Sequence, residues 1–125
     1  MNVLLDTHVL IWALENNPAL SATAKENIIR PENLVFVSAV SVWEIAIKKR
    51  LGRLTVPDNL QEEIQIHRFT PLAVNYDHAE LAGELPLIHK DPFDRMLIAQ
   101  AVTEKLTLIT RDEQIRRYDV TTLTA

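Results

Sequence analysis

His89-Lys90-Asp91-Pro92-Phe93-Asp94-Arg95-Met96-Leu97-Ile98-Ala99-Gln100-Ala101 is the stretch from which the fold can be read. Asp91 followed by Pro92 has the form of a helix N-cap and a proline at the first helical position, where no N–H is needed. Apolar residues then recur at helical spacing through Phe93, Leu97, Ile98, Ala101 and Val102. Asp94 interrupts that stripe. Its neighbours one and two turns on are Leu97, Ile98 and Ala101, so its carboxylate projects along the face expected to meet the core. An acid placed there must cap the helix, pair with a base or hold a cation, because an unpaired buried charge costs too much. Taken locally, a first-turn acid answering the helix dipole, or an Asp91-x-x-Asp94 capping arrangement, is the stronger account, and the rest of the chain reverses it.

Working outward, Thr107–Ile109 reads as a buried strand, Gln114–Tyr118 as a helical turn and Val120–Leu123 as a last short strand. Toward the N-terminus, Asn75 or Asp77 opens a helix to about Gly83, and Phe69–Val74 is partly extended. Pro57-Asp58 begins a helix to about His67. Ser38 or Ser41 opens another that ends in Lys48-Lys49-Arg50-Leu51-Gly52, with basic residues and glycine where a C-terminus wants them. Leu34–Val37 is a buried strand. Ser21 caps a helix to about Ile29, and Thr7–Leu14 is a helix stopped by Asn16-Asn17-Pro18. Asn2–Leu5 is a short strand of the kind buried in parallel sheets, ending at Asp6. Strands separated by helices predict an α/β fold: a doubly wound, mainly parallel sheet flanked by helices in three Rossmann-like layers.

At 125 residues and 47% hydrophobic, the chain suits one compact domain over 1–125 with a sizeable core. Two glycines and six prolines are too few for a flexible linker. With no cysteine, a disulfide framework and a thiolate metal site are both excluded. Met1-Asn2-Val3-Leu4-Leu5-Asp6 lacks the basic opening of a signal peptide, and no apolar run reaches the ~20 residues of a membrane span. The expectation is a cytoplasmic protein without membrane contact. A formal charge of −4 is unlike a nucleic-acid binder at the level of the whole chain. That objection weakens if the negative charge is gathered in a metal site.

In doubly wound sheets the ligand site lies outside the carboxyl ends of the strands. Asp6 follows the first strand, and Asp112 lies just beyond the Thr107 strand. Asp94 opens a helix running antiparallel to the strands, so it begins at the same edge. Glu44 is the only charge between Leu34 and Ile47 and shares a helical face with Val40, Ile47 and Leu51. Each acid has an ordinary account: Asp6 as a cap through His8 or Val9, Ser41-x-x-Glu44 as a capping box, Asp112 as a turn residue. Four at one edge would repel strongly, and a divalent cation resolves that repulsion. Oxygen ligands favour magnesium, or manganese, over zinc.

Leu4-Leu5-Asp6-Thr7-His8, Val42-Trp43-Glu44-Ile45-Ala46, His89-Lys90-Asp91-Pro92-Phe93-Asp94-Arg95 and Leu108-Ile109-Thr110-Arg111-Asp112 together resemble the PIN domain family. Within it they are most similar to the small VapC-type ribonuclease toxins of bacterial toxin–antitoxin pairs. The resemblance spans essentially the whole chain. It implies a magnesium-dependent endoribonuclease whose acidic quartet falls on Asp6, Glu44, Asp94 and Asp112, with Thr110 as a supporting hydroxyl. It further implies a homodimer and inhibition by a small cognate antitoxin. Asp94 rather than Asp91 aligns as the third acid, because Ala99 and Ala101 follow it as small residues do in family members. Asp91 is then the supporting N-cap. The chemistry that fits is attack of water on an RNA phosphodiester, assisted by metal ions.

The remaining polar residues carry less. His8 could touch the site or simply pack, His89 and Lys90 stand near the mouth of the site, and His67 and His78 suggest no pairing. Lys48, Lys49, Arg50 and Arg53, and nearer the acids Lys90, Arg95 and Arg111, are the candidates for gripping RNA; the first four also suit a solvated helix end. Trp12 and Trp43 read as core or dimer contacts, with Trp12 and the helix after Ser21 as the expected dimer surface. A phosphoacceptor receiver module would want paired acids after the first strand and a late lysine. A haloacid-dehalogenase-type phosphatase would want an acid where His8 stands. A PIN-like scaffold that only binds a protein partner would be expected to have an eroded quartet, and this one is complete.

Overall fold

Val3, Leu4 and Leu5 form β1 and are wholly buried in the computed structural model, which describes residues 1–125. Burial of consecutive residues means that both faces of the strand are covered, which belongs to the middle of a parallel sheet. Around β1 the chain runs α1 (Thr7–Glu15), α2 (Ala22–Ile29), β2 (Val35–Ser38), α3 (Ala39–Arg50), α4 (Leu60–Ile66) and β3 (Thr70–Leu72). It continues through α5 (Tyr76–Glu84), α6 (Pro92–Glu104), β4 (Thr107–Thr110), a 3₁₀ turn (Ile115–Arg117) and β5 (Thr122–Thr124). The strand order is β3-β2-β1-β4-β5, and every pairing is parallel. From β1 the winding goes outward to β2 and β3, then returns to the other side for β4 and β5. The expected doubly wound sheet is therefore the one observed, with its reversal between β1 and β4.

Alternation along the strands sends side chains to two separate cores. Val3, Leu5, Val35, Val37 and Ile109 pack with Val9 and Leu10 of α1, Ala24 of α2 and Ile64 of α4. Leu4 and Leu108 face the opposite way, onto Leu97, Ile98 and Ala101 of α6 and onto Ile115 and Tyr118. Helix α3 contributes to both, with Ile45 in the first core and Val40 in the second.

Local chemistry sets most helix starts. Asp6, Ser21, Ser38, Asn75 and Asp91 each cap with a side-chain oxygen. Ser38 and Asn75 are the caps chosen where Ser41 and Asp77 competed. Helix α4 starts later than Pro57-Asp58 suggests, because the Asp58 carboxylate accepts from Lys49 and leaves the helix without a side-chain cap. Strand β5 is displaced toward Thr124 because the parallel ladder pairs Leu108 with Thr122 and Thr110 with Thr124. No helix is long and apolar enough to cross a membrane.

Asp91 Oδ1 accepts from the backbone N–H of Phe93 at 2.8 Å and of Asp94 at 3.1 Å. Asparagine keeps that oxygen, so Asp91→Asn should leave the urea midpoint almost unchanged. Asp91→Ala removes it and should cost about 1 kcal/mol. Equal losses from both variants would show that the carboxylate charge, rather than the cap, is what Asp91 contributes.

Candidate functional site

The carboxyl edge of the sheet holds a cleft of about 460 Å³. Its lining includes Asp6, Thr7, Glu44, His89, Asp91, Asp94 and Asp112, so all four acids singled out in the sequence meet there. The topology explains why. Asp6 ends β1, Asp112 follows β4 next to it in the sheet, and α6 and α3 both begin at this edge. A groove of similar size, about 480 Å³, lies at the amino end of β2 and is lined by Lys25, Arg30 and Arg68 without any carboxylate.

Each acid is held differently. Asp6 is buried; Oδ1 accepts from Val9 N–H at 3.0 Å and Oδ2 from the Thr110 hydroxyl at 2.5 Å. Asp94 Oδ2 lies 2.8 Å from His89 Nε2. That same imidazole nitrogen stands 3.8 Å from Asp112 Oδ2. Donor atoms of His89, Asp94 and Asp112 all fall within 4.8 Å of one another. Glu44 enters the cleft but is turned to α1 and to its own helix: Oε1 accepts from the Thr7 hydroxyl at 2.6 Å, and Oε2 pairs with Lys48 at 2.6 Å. Ser41, which could have capped α3, is buried instead, with its hydroxyl oxygen 3.0 Å from that of Thr7.

Burial, with neighbouring negative charge, raises the proton affinity of two of the acids. Burial pushes the Asp6 carboxyl above its ordinary range, against the pull of the Thr110 and Val9 hydrogen bonds. Asp94 is pushed up to about 7, first by burial and then by the charge of Asp91, with smaller contributions from Asp112 and Asp6; the His89 hydrogen bond works the other way. A folded pKa above the unfolded value of 3.8 stabilises the fold below pH 4, and that stability is lost as pH rises toward about 7. In EDTA, melting temperature should therefore fall between pH 5 and 8, and Asp94→Asn should flatten the fall. A divalent ion should flatten it too. An unchanged slope in the variant would mean that other groups carry the dependence.

The donor set suits a hard divalent cation: several carboxylate oxygens and the His89 imidazole nitrogen close to them in an open cleft, with no sulfur. Protein cations do little to neutralise the acids. Lys48 answers Glu44 alone, while the Arg111 guanidinium is spent on the Ala125 and Ala19 carbonyls and lies 4.6 Å from the centre of the Trp12 ring.

Several sequence readings are corrected. Arg95, a candidate for gripping RNA, is buried and donates to the carbonyls of Ala82, Leu85, Pro86 and His89. Arg111, by contrast, is exposed and lines the acidic cleft, with its guanidinium on the Ala19 and Ala125 carbonyls. His78 is buried, completes the Asn75 capping box and pairs with Glu104 at 2.9 Å. Trp43 is not a core residue: it is 61% exposed and meets the edge of Phe93. Sequence reasoning missed Thr7 and left His89 at the mouth of the site. A hydroxyl directly after the strand-end acid was the only signal for Thr7; His89 had none beyond lying two residues before the Asp91 cap.

A family model described as PIN domain matches residues 3–120. Ribonuclease VapC22 of Mycobacterium tuberculosis is 29% identical over 123 residues, spanning 93% of this chain and 91% of that protein. Among solved structures, VapBC2 from Rickettsia felis bound to a DNA fragment from their promoter superposes with a TM-score of 0.73 at 17% identity, covering 98% of each chain. A toxin–antitoxin complex from Klebsiella pneumoniae superposes with a TM-score of 0.65 at 21% identity, covering 98% of this chain and 96% of that one. At such identities the structural likeness is one of fold.

Proposed function

The chain belongs to the PIN domain family, and on that premise we propose that it is a divalent-cation-dependent endoribonuclease acting as the toxin of a toxin–antitoxin pair. The observation that carries this reading is the meeting of Asp6, Glu44, Asp94 and Asp112 in one cleft at the carboxyl edge of a parallel sheet. Asp6, Asp94 and Asp112 would hold the ion, with Glu44 within the same cleft. When bound, magnesium or manganese supplies the positive charge that favours deprotonation of water and offsets charge building on the phosphodiester.

The chain's own residues prepare that site. Thr110 and Val9 fix the two oxygens of Asp6, so its carboxylate does not have to be oriented when substrate arrives. Asp91 holds the first turn of α6 and with it the base of Asp94. Thr7 and Lys48 keep Glu44 from swinging out of the cleft. The open cleft admits a phosphodiester backbone, and water attacks in line with the leaving oxygen.

An acidic cleft also explains how a partner would silence the chain. An antitoxin segment placing an Arg or Lys among these acids would replace the cation and obstruct RNA. A homodimer in the cytoplasm, paired with a small cognate antitoxin, is the setting proposed. The test is cleavage of RNA by the purified chain with magnesium, with manganese and with EDTA, and mapping of RNA ends after induced expression. Cutting that appears with either ion and stops with EDTA supports the reading. Folded protein that cuts nothing under any of these conditions would leave a partner-binding scaffold instead.

A further inference from the structure

We propose that His89 is a direct nitrogen ligand of the divalent ion, beside Asp94 and Asp112, and that the site therefore prefers manganese to magnesium. This rests on the metal-dependent reading above but concerns a residue that the acidic quartet does not contain. The geometry is that of donors around one ion: His89 Nε2 lies 2.8 Å from Asp94 Oδ2 and 3.8 Å from Asp112 Oδ2, and the three donor atoms fit within 4.8 Å. Ligands at roughly 2.1 Å from an octahedral ion are about 3 Å apart when adjacent and about 4 Å when opposite, so His89 and Asp94 already stand near the spacing of adjacent ligands and Asp112 within reach of the same ion.

The position of His89 is built rather than incidental. Its N–H donates to the Tyr118 hydroxyl at 2.8 Å, and its carbonyl accepts from the buried Arg95 guanidinium at 3.3 Å. Arg95 also holds Leu85 and Pro86, so the whole segment leading into α6 is tied to the second core. Two anchored backbone atoms aim one imidazole at two carboxylates. A hydrogen bond to Asp94 alone would not require the ring to lie near Asp112 as well.

The preference follows from ligand chemistry. Magnesium takes oxygen and keeps its waters; manganese, although the weakest nitrogen binder of the first transition row, still accepts an imidazole more readily than magnesium does. His8 lines the same cleft but is exposed, and serves as the internal control.

The test is electron spin-echo spectroscopy of the full chain loaded with manganese, which detects nitrogen-14 bonded to the ion whether or not RNA is cut. Nitrogen modulation is expected in the wild type and in His8→Gln, and its loss in His89→Gln. Calorimetry should find manganese affinity at least roughly tenfold lower in His89→Gln, with a smaller change for magnesium. Absence of nitrogen modulation in the wild type, its persistence in His89→Gln, or failure of manganese to bind would overturn the assignment. Manganese bound through nitrogen in a chain that cuts no RNA would uphold the ligand and sink the nuclease reading instead.

Discussion

Asp94→Asn is expected to abolish cation-dependent RNA cleavage while leaving a folded protein that, in EDTA, melts higher than the wild type. Asparagine is nearly isosteric but gives up the negative charge that the cation requires. If charge stabilisation at the ion is worth several kcal/mol in the transition state, cleavage should drop by roughly three decades or more. Stability moves the other way because Asp94 is half-buried, and that burial, followed by the charge of Asp91 and the other acids, raises its pKa to about 7. At pH 8 the wild-type carboxylate is ionised against that resistance, and the variant has nothing to ionise. Adding magnesium should stabilise the wild type and not the variant. The companion Asp91→Asn keeps its capping oxygen and should retain most of the activity. A dead Asp91→Asn beside an active Asp94→Asn would exchange the two roles and displace Asp94 from the site.

Arg95→Ala should be the most destabilising single change outside the hydrophobic cores. The side chain is 8% exposed and faces no carboxylate. Its charge is stabilised by carbonyl dipoles: Nη2 donates to Ala82 O at 2.8 Å and to Leu85 O at 2.9 Å, and Nη1 to Pro86 O at 2.9 Å. Ala82 and Leu85 lie at the C-terminus of α5, the negative end of that helix dipole. Truncation leaves these carbonyls without a donor in a space that water reaches poorly, at a cost of roughly 3 kcal/mol or more. For a domain of this size that lowers the melting temperature by about 10 °C. Lysine restores the charge but not the fork that spans two sets of acceptors, so Arg95→Lys should recover only part of the loss. Urea denaturation of the three proteins checks this. An Arg95→Ala midpoint within error of the wild type would mean that the segment between α5 and α6 holds itself without the guanidinium.

Local sequence determined the elements and most of their starts. Asn2–Leu5, Leu34–Val37 and Thr107–Ile109 are short, mainly apolar runs of the kind that parallel sheets bury. Asp6, Ser21 and Asp91 stand where an uncapped helix needs an oxygen, and the alternation of strands and helices led to a parallel sheet. The acids were legible for the same reason: Glu44 and Asp94 are charges on otherwise apolar helical faces, and a charge out of place shows in a one-dimensional pattern. What the pattern could not contain was the choice of partner. Thr110 reaches Asp6 across 104 residues because β4 lies beside β1, and Thr7 reaches Glu44 across 37 because α1 and α3 come together at the same edge. Arg95 sits one position after Asp94, and periodicity alone made it a plausible surface cation. Only the return of α5 and the following turn over α6, which brings four carbonyl acceptors to its guanidinium beside the Tyr118 hydroxyl, made burial the lower-energy course. Hydrophobic spacing is a property of neighbours along the chain; the pairing of polar groups depends on which distant elements the winding of the sheet brings within hydrogen-bonding distance.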